Sequence, residues 1–387
     1  MDKVKIRMGM VGGGTGSFIG PVHRMAAEMD HEIELVCGAF SSNPERSKLS
    51  GEQMGIDPAR CYPDYHTMIN TEASLPAGKR MDFIAIVTPN HLHFEPAKLA
   101  LENHFHVMCD KPLALSLDEA LELQRLVKDS GLIFGITYTY AGYPLVMQAR
   151  EMIRSGTIGK IRKVVVTYLQ GWLSQYPEGS GQKQAVWRTD PRYTGKTSTM
   201  GDIGTHAEFL VSYLTGLEPE AISAQMNTLV PERKMDDDGT VLIRYPGGAV
   251  ATLLVSQVAT GEENNVIVRV YGEKGGFEWN QMEPNSLFLR QPDKPIEIYR
   301  TGVTVAGLGL EDRGGTRLPA GHPEGFIEAF ANIYHSFARS LQKLKSNPYS
   351  AGNDFNFPTI DDGVRGMKFL EKVVEASSGE KKWIPWE

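Results

Sequence analysis

Apolar positions in the first third of the chain alternate between short continuous runs and a helical spacing. Continuous runs are typical of strands buried on both faces, and apolar residues at i, i+3 and i+4 are typical of helices. The predicted strands span residues 6–12, 33–39, 82–88, 106–109 and 132–138, and the predicted helices span 21–29, 44–54, 95–102 and 117–130. This alternation predicts a doubly wound α/β domain on a parallel sheet.

The pattern changes near residue 138. Strands then follow one another mostly without intervening helices, which predicts an α+β domain on a mainly antiparallel sheet. The predicted strands span 164–169, 221–229, 239–245, 249–257, 265–271, 286–290 and 296–299; helices are predicted at 144–155, 201–213, 324–344 and 361–377, and a glycine-rich loop at 302–321. We therefore predict two domains, 1–137 and 138–387, with the last helices packed back on the first.

Composition and charge narrow the class of protein. The chain is 41% hydrophobic and 22% charged, as soluble globular proteins are, and its net charge of −7 gives no basic stripe for a nucleic acid. No apolar run approaches the ~18 residues of a membrane span, and the first residues lack the apolar core of a signal peptide. We expect a cytoplasmic protein, unless a leader was removed before this numbering. Cys37, Cys61 and Cys109 are too scattered for disulfides or zinc.

A glycine-rich segment follows the first strand and opens the first helix. Gly12 and Gly14 fit the first two positions of a dinucleotide fingerprint; Ser17 occupies the strict third position, and Gly20 fits if about three residues are inserted. Glycines let the backbone approach a pyrophosphate, and the helix N-terminus supplies amide donors. The segment predicts an NAD(P) site with contacts from Gly12, Gly14, Thr15, Phe18 and Ile19.

The end of the second strand leaves the choice between NAD and NADP open. NAD enzymes usually carry an acid there, which binds the ribose 2′-hydroxyl, whereas this chain has Ser41 and Ser42. Serine can bond either a hydroxyl or a phosphate. Arg46 is near enough in sequence to meet a 2′-phosphate, or else is a solvated helix residue. Because no basic residue directly follows the serines, NAD(H) is slightly favoured over NADP(H).

Further motifs follow in a characteristic order. Thr88-Pro89-Asn90 ends one strand, Asp110-Lys111-Pro112 ends the next, and Asp202 and His206 lie four residues apart on a predicted helix that segment 187–191 precedes. Across essentially the whole chain, this order resembles the Gfo/Idh/MocA oxidoreductases, which have Glu-Lys-Pro where this chain has Asp110-Lys111-Pro112. Segments 16–20, 181–188 and 321–325 resemble a subgroup of sugar and cyclitol dehydrogenases.

The resemblance implies a Rossmann domain, then a domain with a large open-faced sheet, an NAD(P) cofactor and a carbohydrate or cyclitol substrate. An uncovered apolar sheet face implies a homodimer or homotetramer. The resemblance also implies that the Lys111–Pro112 peptide bond is cis. The cofactor contacts that it implies after the predicted third and fourth strands are Thr88, Pro89, Asn90, His93, Asp110 and Lys111.

Lys111, Asp202 and His206 are the candidate catalytic residues. A lysine at a strand end can bond the reacting oxygen and share in its proton transfer. Residues four apart share a helix face, and an imidazole has a pKa suited to taking a hydroxyl proton near neutral pH. Arg188 and His322 are candidates for binding other substrate hydroxyls, and Tyr140 for lining the sugar ring.

These residues favour an oxidoreductase that moves a hydride between a nicotinamide and a secondary CH–OH of a sugar, glycoside or inositol. One alternative is an NAD-dependent glycosidase that acts by transient oxidation and elimination. Another is a non-catalytic NAD(P) or sugar sensor, which the intact Lys, Asp and His set disfavours. The pairs His91/His93 and His104/His106 lack an acid or cysteine to complete a metal site, so no metal is expected.

Overall fold

The computed structural model describes residues 5–303, 315–347 and 355–387. Its first sheet is parallel, in the order β2-β1-β3-β4-β5. Its strands are β1 (Ile6–Gly12), β2 (Ile33–Ala39), β3 (Phe83–Val87), β4 (His106–Cys109) and β5 (Phe134–Ile136). The helices between them are α1 (Ile19–Glu28), α2 (Pro44–Gln53), α3 (Tyr65–Ser74), α4 (Phe94–Glu102) and α5 (Leu117–Ser130). Every residue of β3 is buried, which confirms the predicted doubly wound sheet.

The second sheet has nine strands in the described residues, and only its β6–β9 pair there is parallel. Its strands are β6 (Ile161–Leu169), β7 (Ala221–Asn227), β8 (Asp238–Arg244), β9 (Val250–Ser256), β10 (Asn265–Gly272), β11 (Gly276–Asn280), β12 (Ser286–Arg290), β13 (Glu297–Arg300) and β14 (Ile384–Pro385). The remaining helices are α6 (Pro144–Arg154), α7 (Lys183–Arg188), α8 (Pro191–Thr194), α9 (Thr205–Thr215), α10 (Phe326–Ser346) and α11 (Ile360–Ser378). The predicted mainly antiparallel sheet is confirmed.

Residues on the nine-stranded sheet alternate between a buried and an exposed face, as period-two patterning requires. On β8, Val241 and Ile243 are buried while Leu242 between them is exposed. α6 and α9 supply apolar side chains to the buried face, where Val146 and Leu214 line a small apolar cavity together with residues of β10 and β11. The opposite face keeps apolar side chains exposed in this chain.

Contacts divide the chain into two compact units. The first unit contains residues 1–142 and 326–364, and the second contains residues 143–325 and 365–387. In the first unit, α10 packs into the core of the parallel sheet. Phe337 of α10 meets Phe83 of β3 edge to face, with 5.0 Å between ring centroids, and both lie in one buried cluster with Met8.

The structure adds five elements to those predicted, α3, α7, α8, β11 and β14, of which α3 is the longest. α3 buries only two apolar side chains, Met68 and Ile69, so its helical spacing is faint. Its start is marked instead by Asp64, whose carboxylate accepts the Thr67 N–H at 2.7 Å. β11 is short and begins only four residues after the end of β10, at Gly276, so the pattern predicted no separate strand.

The helix predicted at 201–213 begins differently. Residues Met200–Gly204 form a π turn, and α9 continues from Thr205. Such turns occur often at functional sites. The loop predicted at 302–321 lies outside the described residues between 304 and 314.

Candidate active site

The glycine loop joins β1 to α1. β1 and β3 are neighbours at the point where the strand order reverses, and ligands of such sheets bind beyond the carboxyl ends of the strands there. Gly12, Gly13 and Gly16 have φ values of 82°, 74° and 82°, which favour glycine. A Cβ on Gly20 would lie 2.4 Å from the Gly13 Cα. Gly20 therefore performs the helix-packing role of the third fingerprint glycine, which Ser17 does not.

The start of α1 suits an anion. The Ser17 hydroxyl accepts the Gly20 N–H at 3.2 Å, and the first turn of the helix contains no acid. The first N–H groups of a helix and the positive end of its dipole attract phosphates. Phe18 is 65% exposed and Ile19 is partly exposed. The loop and helix start thus fit the pyrophosphate of a dinucleotide.

Thr15 connects the glycine loop to α2. Its N–H donates to Ser50 Oγ at 3.1 Å, and its hydroxyl donates to Gln53 Oε1 at 2.8 Å. Gly14 approaches the end of β2, because its N–H donates to the Phe40 carbonyl oxygen at 3.1 Å. The loop is therefore fixed at both of these points, with Thr15 on the exposed side.

The segment after β2 presents small polar groups. Ser41 is partly buried, and its Oγ accepts the Asn43 N–H at 3.2 Å. Asn43 in turn caps α2 by accepting the Arg46 N–H at 2.9 Å. The side chains of Ser42 and Arg46 are exposed. This edge therefore offers hydroxyls and one exposed guanidinium.

His93 links the segments that follow β3 and β4. Its Nδ1 lies 2.8 Å from the Pro112 carbonyl oxygen, and its Nε2 lies 2.9 Å from the Thr88 carbonyl oxygen. Burial lowers the pKa of His93, and the nearby Asp110 carboxylate opposes that shift. The ring is 1% exposed. A neutral imidazole donates one N–H, so His93 hydrogen-bonds one of these carbonyl oxygens and packs against the other, between the two segments.

Lys111 immediately precedes Pro112, the residue whose carbonyl oxygen lies near His93. The Lys111–Pro112 bond is cis. The Lys111 N–H and the Thr137 hydroxyl both donate to Asp110 Oδ1, at 2.8 and 2.9 Å. Asn90 is buried at the start of a short 3₁₀ turn that follows Pro89. The strand-end residues that the sequence singled out are thus held by hydrogen bonds at one edge of the parallel sheet.

Asp202 is the centre of a polar cluster in the second unit. Its Oδ2 accepts a hydrogen bond from Gln257 Nε2 at 2.8 Å and lies 3.4 Å from Arg188 Nε. The structure therefore brings together two residues, Asp202 and Arg188, that the sequence placed in separate motifs. A carboxylate that faces an amide N–H and a guanidinium is well suited to accept further hydrogen bonds from hydroxyls.

The cluster continues through Gln257, Gln170 and Thr199, which the sequence analysis did not single out. Gln257 also donates to Gln170 Oε1 at 3.0 Å and accepts from the Thr199 hydroxyl at 2.8 Å. The Trp172 indole N–H donates to the same Gln170 oxygen at 3.1 Å. These amides lie just beyond the ends of β6 and β9, where no periodic pattern marks them.

His206 lies in the first turn of α9, four residues after Asp202, and is 6% exposed. Its ring centroid is 6.2 Å from that of Tyr168 on β6. The start of this segment is capped by Asp236, whose carboxylate accepts the Ser198 and Met200 N–H groups at 2.6 and 2.7 Å. Burial raises the pKa of Asp236 to about 6, although these N–H groups oppose the shift.

The other predicted substrate residues differ in their surroundings. The Arg188 guanidinium lies over the Trp187 ring, 4.1 Å from its centroid, and is partly exposed. His322 is exposed, with Nδ1 3.1 Å from the Pro319 carbonyl oxygen. Tyr140 is 2% exposed within the turn Thr139–Gly142, a position typical of a core side chain.

Residues 5–303, 315–347 and 355–387 contain no group of three His, Cys, Asp or Glu side chains placed to hold a metal ion. Cys37, Cys61 and Cys109 are free thiols. Over those same ranges, no helix has both the length and the apolar character that crossing a bilayer requires.

Two family models match the chain. Residues 6–138 match the oxidoreductase family with an NAD-binding Rossmann fold, and residues 146–278 match the GFO/IDH/MocA C-terminal domain. The two matches cover the parallel sheet and most of the nine-stranded sheet.

Similar proteins match at nearly full length. The uncharacterized oxidoreductase YfiI of Bacillus subtilis (strain 168) is 33% identical over 98% of this chain and 96% of its own length. Levoglucosan dehydrogenase of Pseudarthrobacter phenanthrenivorans is 27% identical over 93% of this chain and 95% of its own. The structure of an inositol dehydrogenase homolog from Azotobacter vinelandii, complexed with NAD+, superposes with a TM-score of 0.92 at 35% identity, covering 98% and 97% of the two chains. The chain therefore belongs to the Gfo/Idh/MocA oxidoreductases, as its motifs indicated.

Proposed function

We propose that this protein is an NAD(P)-dependent dehydrogenase that moves a hydride between the nicotinamide and a secondary CH–OH of a sugar, glycoside or inositol. The observation that carries the proposal is the partly exposed pair of Asp202 and Arg188, 3.4 Å apart, one turn before His206. Such groups recognise several hydroxyls at once. Relatives named for levoglucosan and inositol support the same class of substrate.

The proton chemistry follows from the side chains. When bound, the nicotinamide supplies the hydride acceptor. Loss of hydride from the carbon requires the attached oxygen to lose its proton. We assign His206 as the base that takes this proton, Asp202 as the group that orients the hydroxyl and stabilises the imidazolium, and Lys111 as the donor that bonds the reacting oxygen. The same groups return the proton in the reverse direction.

The first unit would hold the cofactor through its main chain. Gly12, Gly14 and the start of α1 would bind the pyrophosphate, with Thr15, Phe18 and Ile19 beside it. Ser41 and Ser42 would bind the adenine ribose. The expected contacts nearer the nicotinamide are Thr88, Pro89, Asn90, His93, Asp110 and Lys111.

Mass spectrometry of the gently purified protein, followed by turnover assays on cyclic polyols and glycosides, tests the proposal. We expect binding of NAD or NADP and net reduction of the added cofactor by at least one polyol. Glycoside cleavage without net reduction would favour the glycosidase alternative. Binding of the cofactor with no chemistry on any polyol would favour a sensor, and binding of neither dinucleotide would exclude the proposal.

We also propose that the chain is a homodimer or homotetramer through the exposed face of the nine-stranded sheet. Leu242, Val250 and Leu254 are exposed on neighbouring strands β8 and β9, and an apolar patch of this kind favours association. Light scattering at micromolar concentration measures the mass. A value of 42.8 kDa, that of one chain, would contradict this assembly.

A further inference from the structure

Gln257 joins the candidate catalytic carboxylate to the nine-stranded sheet. We propose that Gln257 is a positioning residue that fixes the Asp202 carboxylate for proton transfer, an inference that rests on the proposed function. The side chain is fully buried, with 0% exposure, just after β9. Its backbone is fixed on both sides, because its N–H donates to the Asp237 carbonyl at 2.9 Å and its carbonyl accepts the Leu173 N–H at 3.0 Å.

The orientation of the Gln257 amide follows from its partners. Its nitrogen donates to Asp202 Oδ2 at 2.8 Å and to Gln170 Oε1 at 3.0 Å, while its oxygen accepts from the Thr199 hydroxyl at 2.8 Å. The reversed amide would place an acceptor against both a carboxylate oxygen and an amide oxygen. A buried network with its donors and acceptors matched is rigid, so Gln257 presents an N–H to Asp202 in one direction only.

The charges around Gln257 also favour this role. Arg188 Nε also lies 3.4 Å from the same Asp202 oxygen. Asp237, next to the Gln257 main chain, pairs with the buried guanidinium of Arg233 at 3.0 Å, and Asp236 caps the π turn through main-chain N–H groups. Gln257 is thus an uncharged donor to Asp202 in a region that also contains Arg188, Arg233, Asp236 and Asp237. Its side-chain N–H determines where Asp202 Oδ2 lies.

Gln257→Glu tests the role, because it keeps the shape of the side chain and replaces the N–H donor by a carboxyl group. When ionised, the new carboxylate repels Asp202; when protonated, its O–H donates to Asp202 as the amide did. We expect kcat at pH 8 to fall by about thirtyfold and, relative to wild type, to recover to within about fivefold at pH 6. Gln257→Leu, which lacks any donor, should show a similar loss at both pH values.

Gln225→Glu is the matched control. Gln225 is an exposed amide on β7 whose side-chain N–H donates to Asn227 Oδ1 at 3.1 Å, so the kcat of Gln225→Glu should equal that of wild type at both pH values. NAD affinity by calorimetry should be unchanged in all three variants.

A wild-type kcat for Gln257→Glu at pH 8, or a constant ratio of its kcat to that of wild type between pH 8 and pH 6, would overturn the positioning role while leaving the proposed function intact. A wild-type protein that binds NAD and turns over no polyol overturns both.

Discussion

The two units build their candidate sites from different parts of the chain. In the first unit the site is mostly main chain: glycines at positive φ, the start of a helix and the ends of two strands. In the second unit it is made of side chains: the Asp202 carboxylate, the Arg188 guanidinium and the Gln257 amide. A main-chain site tolerates changes of side chain but not an added Cβ at its glycines. A side-chain site is sensitive to the loss of single polar groups.

The units also differ in their buried titratable groups. Burial lowers the pKa of His23 and His106 in the first unit to about 4. In the second unit, burial raises the pKa of Asp236 to about 6. Burial favours the neutral forms of His23, His106 and Asp236 alike. A fall in pH, however, protonates the two histidines to their charged form and the Asp236 carboxylate to its neutral form. Acidification is expected to destabilise the first unit and to relieve a penalty in the second.

The largest expected effect is on catalysis. Lys111→Ala and His206→Ala should each lower kcat about a hundredfold or more, because each removes a group that bonds or moves the proton. Because His206 belongs to the second unit, His206→Ala should lower kcat far more than it weakens NAD binding. Steady-state kinetics and calorimetric titration measure the two quantities.

Wild-type oxidation should also speed up as the pH rises through the neutral range, because a deprotonated imidazole is the base. A His206→Ala enzyme that keeps wild-type turnover on a proven substrate and the same pH profile would show that His206 is not the base. Lys111 would then be the main proton acceptor.

Glycine substitutions in the two units test whether the main-chain site of the first unit is the more sensitive to an added Cβ. Gly20→Ala places a Cβ 2.4 Å from the Gly13 Cα, which is backbone, so unfolding free energy should fall by about 3 kcal/mol and NAD binding should weaken. In Gly204→Ala of the second unit, the nearest atom is the Met200 sulfur at 2.3 Å, which belongs to a side chain and not to the backbone, so the cost should be smaller, about 1 kcal/mol. Urea titrations measure both. Equal losses of unfolding free energy in Gly20→Ala and Gly204→Ala would show that the two units are equally sensitive to an added Cβ.

The same distinction decides what could be predicted from the sequence. The main-chain site is encoded locally, so the glycine spacing indicated the loop, although only the Gly13–Gly20 approach decides between Ser17 and Gly20 as the third position. The strand-end residues before Pro112 were identified through the resemblance of their short local motif to that of the Gfo/Idh/MocA oxidoreductases. The partners of Asp202 come from positions far apart in the chain, and nothing in the periodicity marks Gln170 or Gln257. Their selection depends on tertiary packing, as does the burial of Tyr140.

A smaller effect is expected from pH. His106 Nδ1 accepts the Ile133 N–H at 2.9 Å, so the folded ring is neutral, and burial lowers its pKa to about 4. The unfolded imidazole titrates near its ordinary pKa of about 6.5. Because the unfolded state then binds more protons between these values, stability falls as the pH drops from 6.5 toward 4, by about 2 kcal/mol between pH 7 and pH 5.

His106→Asn separates this contribution from the others. Asparagine offers an acceptor without a titratable ring, so the variant should lose about 2 kcal/mol less than wild type between pH 7 and pH 5. Urea titration at the two pH values measures the difference. Equal losses in the two proteins would assign the acid sensitivity to other groups, such as His23, which is fully buried beside Tyr334.

The smallest effect is expected at Arg46, because a dinucleotide held by main-chain groups depends little on an exposed side chain. The Arg46 side chain is exposed in the first turn of α2, where the main-chain N–H of Arg46 donates to the Asn43 cap and does not depend on the side chain. Arg46→Ala should therefore change NAD affinity less than about twofold, the usual range of surface substitutions. Calorimetry with both dinucleotides should show tighter binding of NAD than of NADP in the wild type, with the order unchanged in Arg46→Ala. The contrary result is a wild type that binds NADP more tightly than NAD, with this preference lost in Arg46→Ala and kept in Ser42→Ala. That result would assign the Arg46 guanidinium to the 2′-phosphate of NADP. Cofactor choice in the first unit would then depend on one side chain.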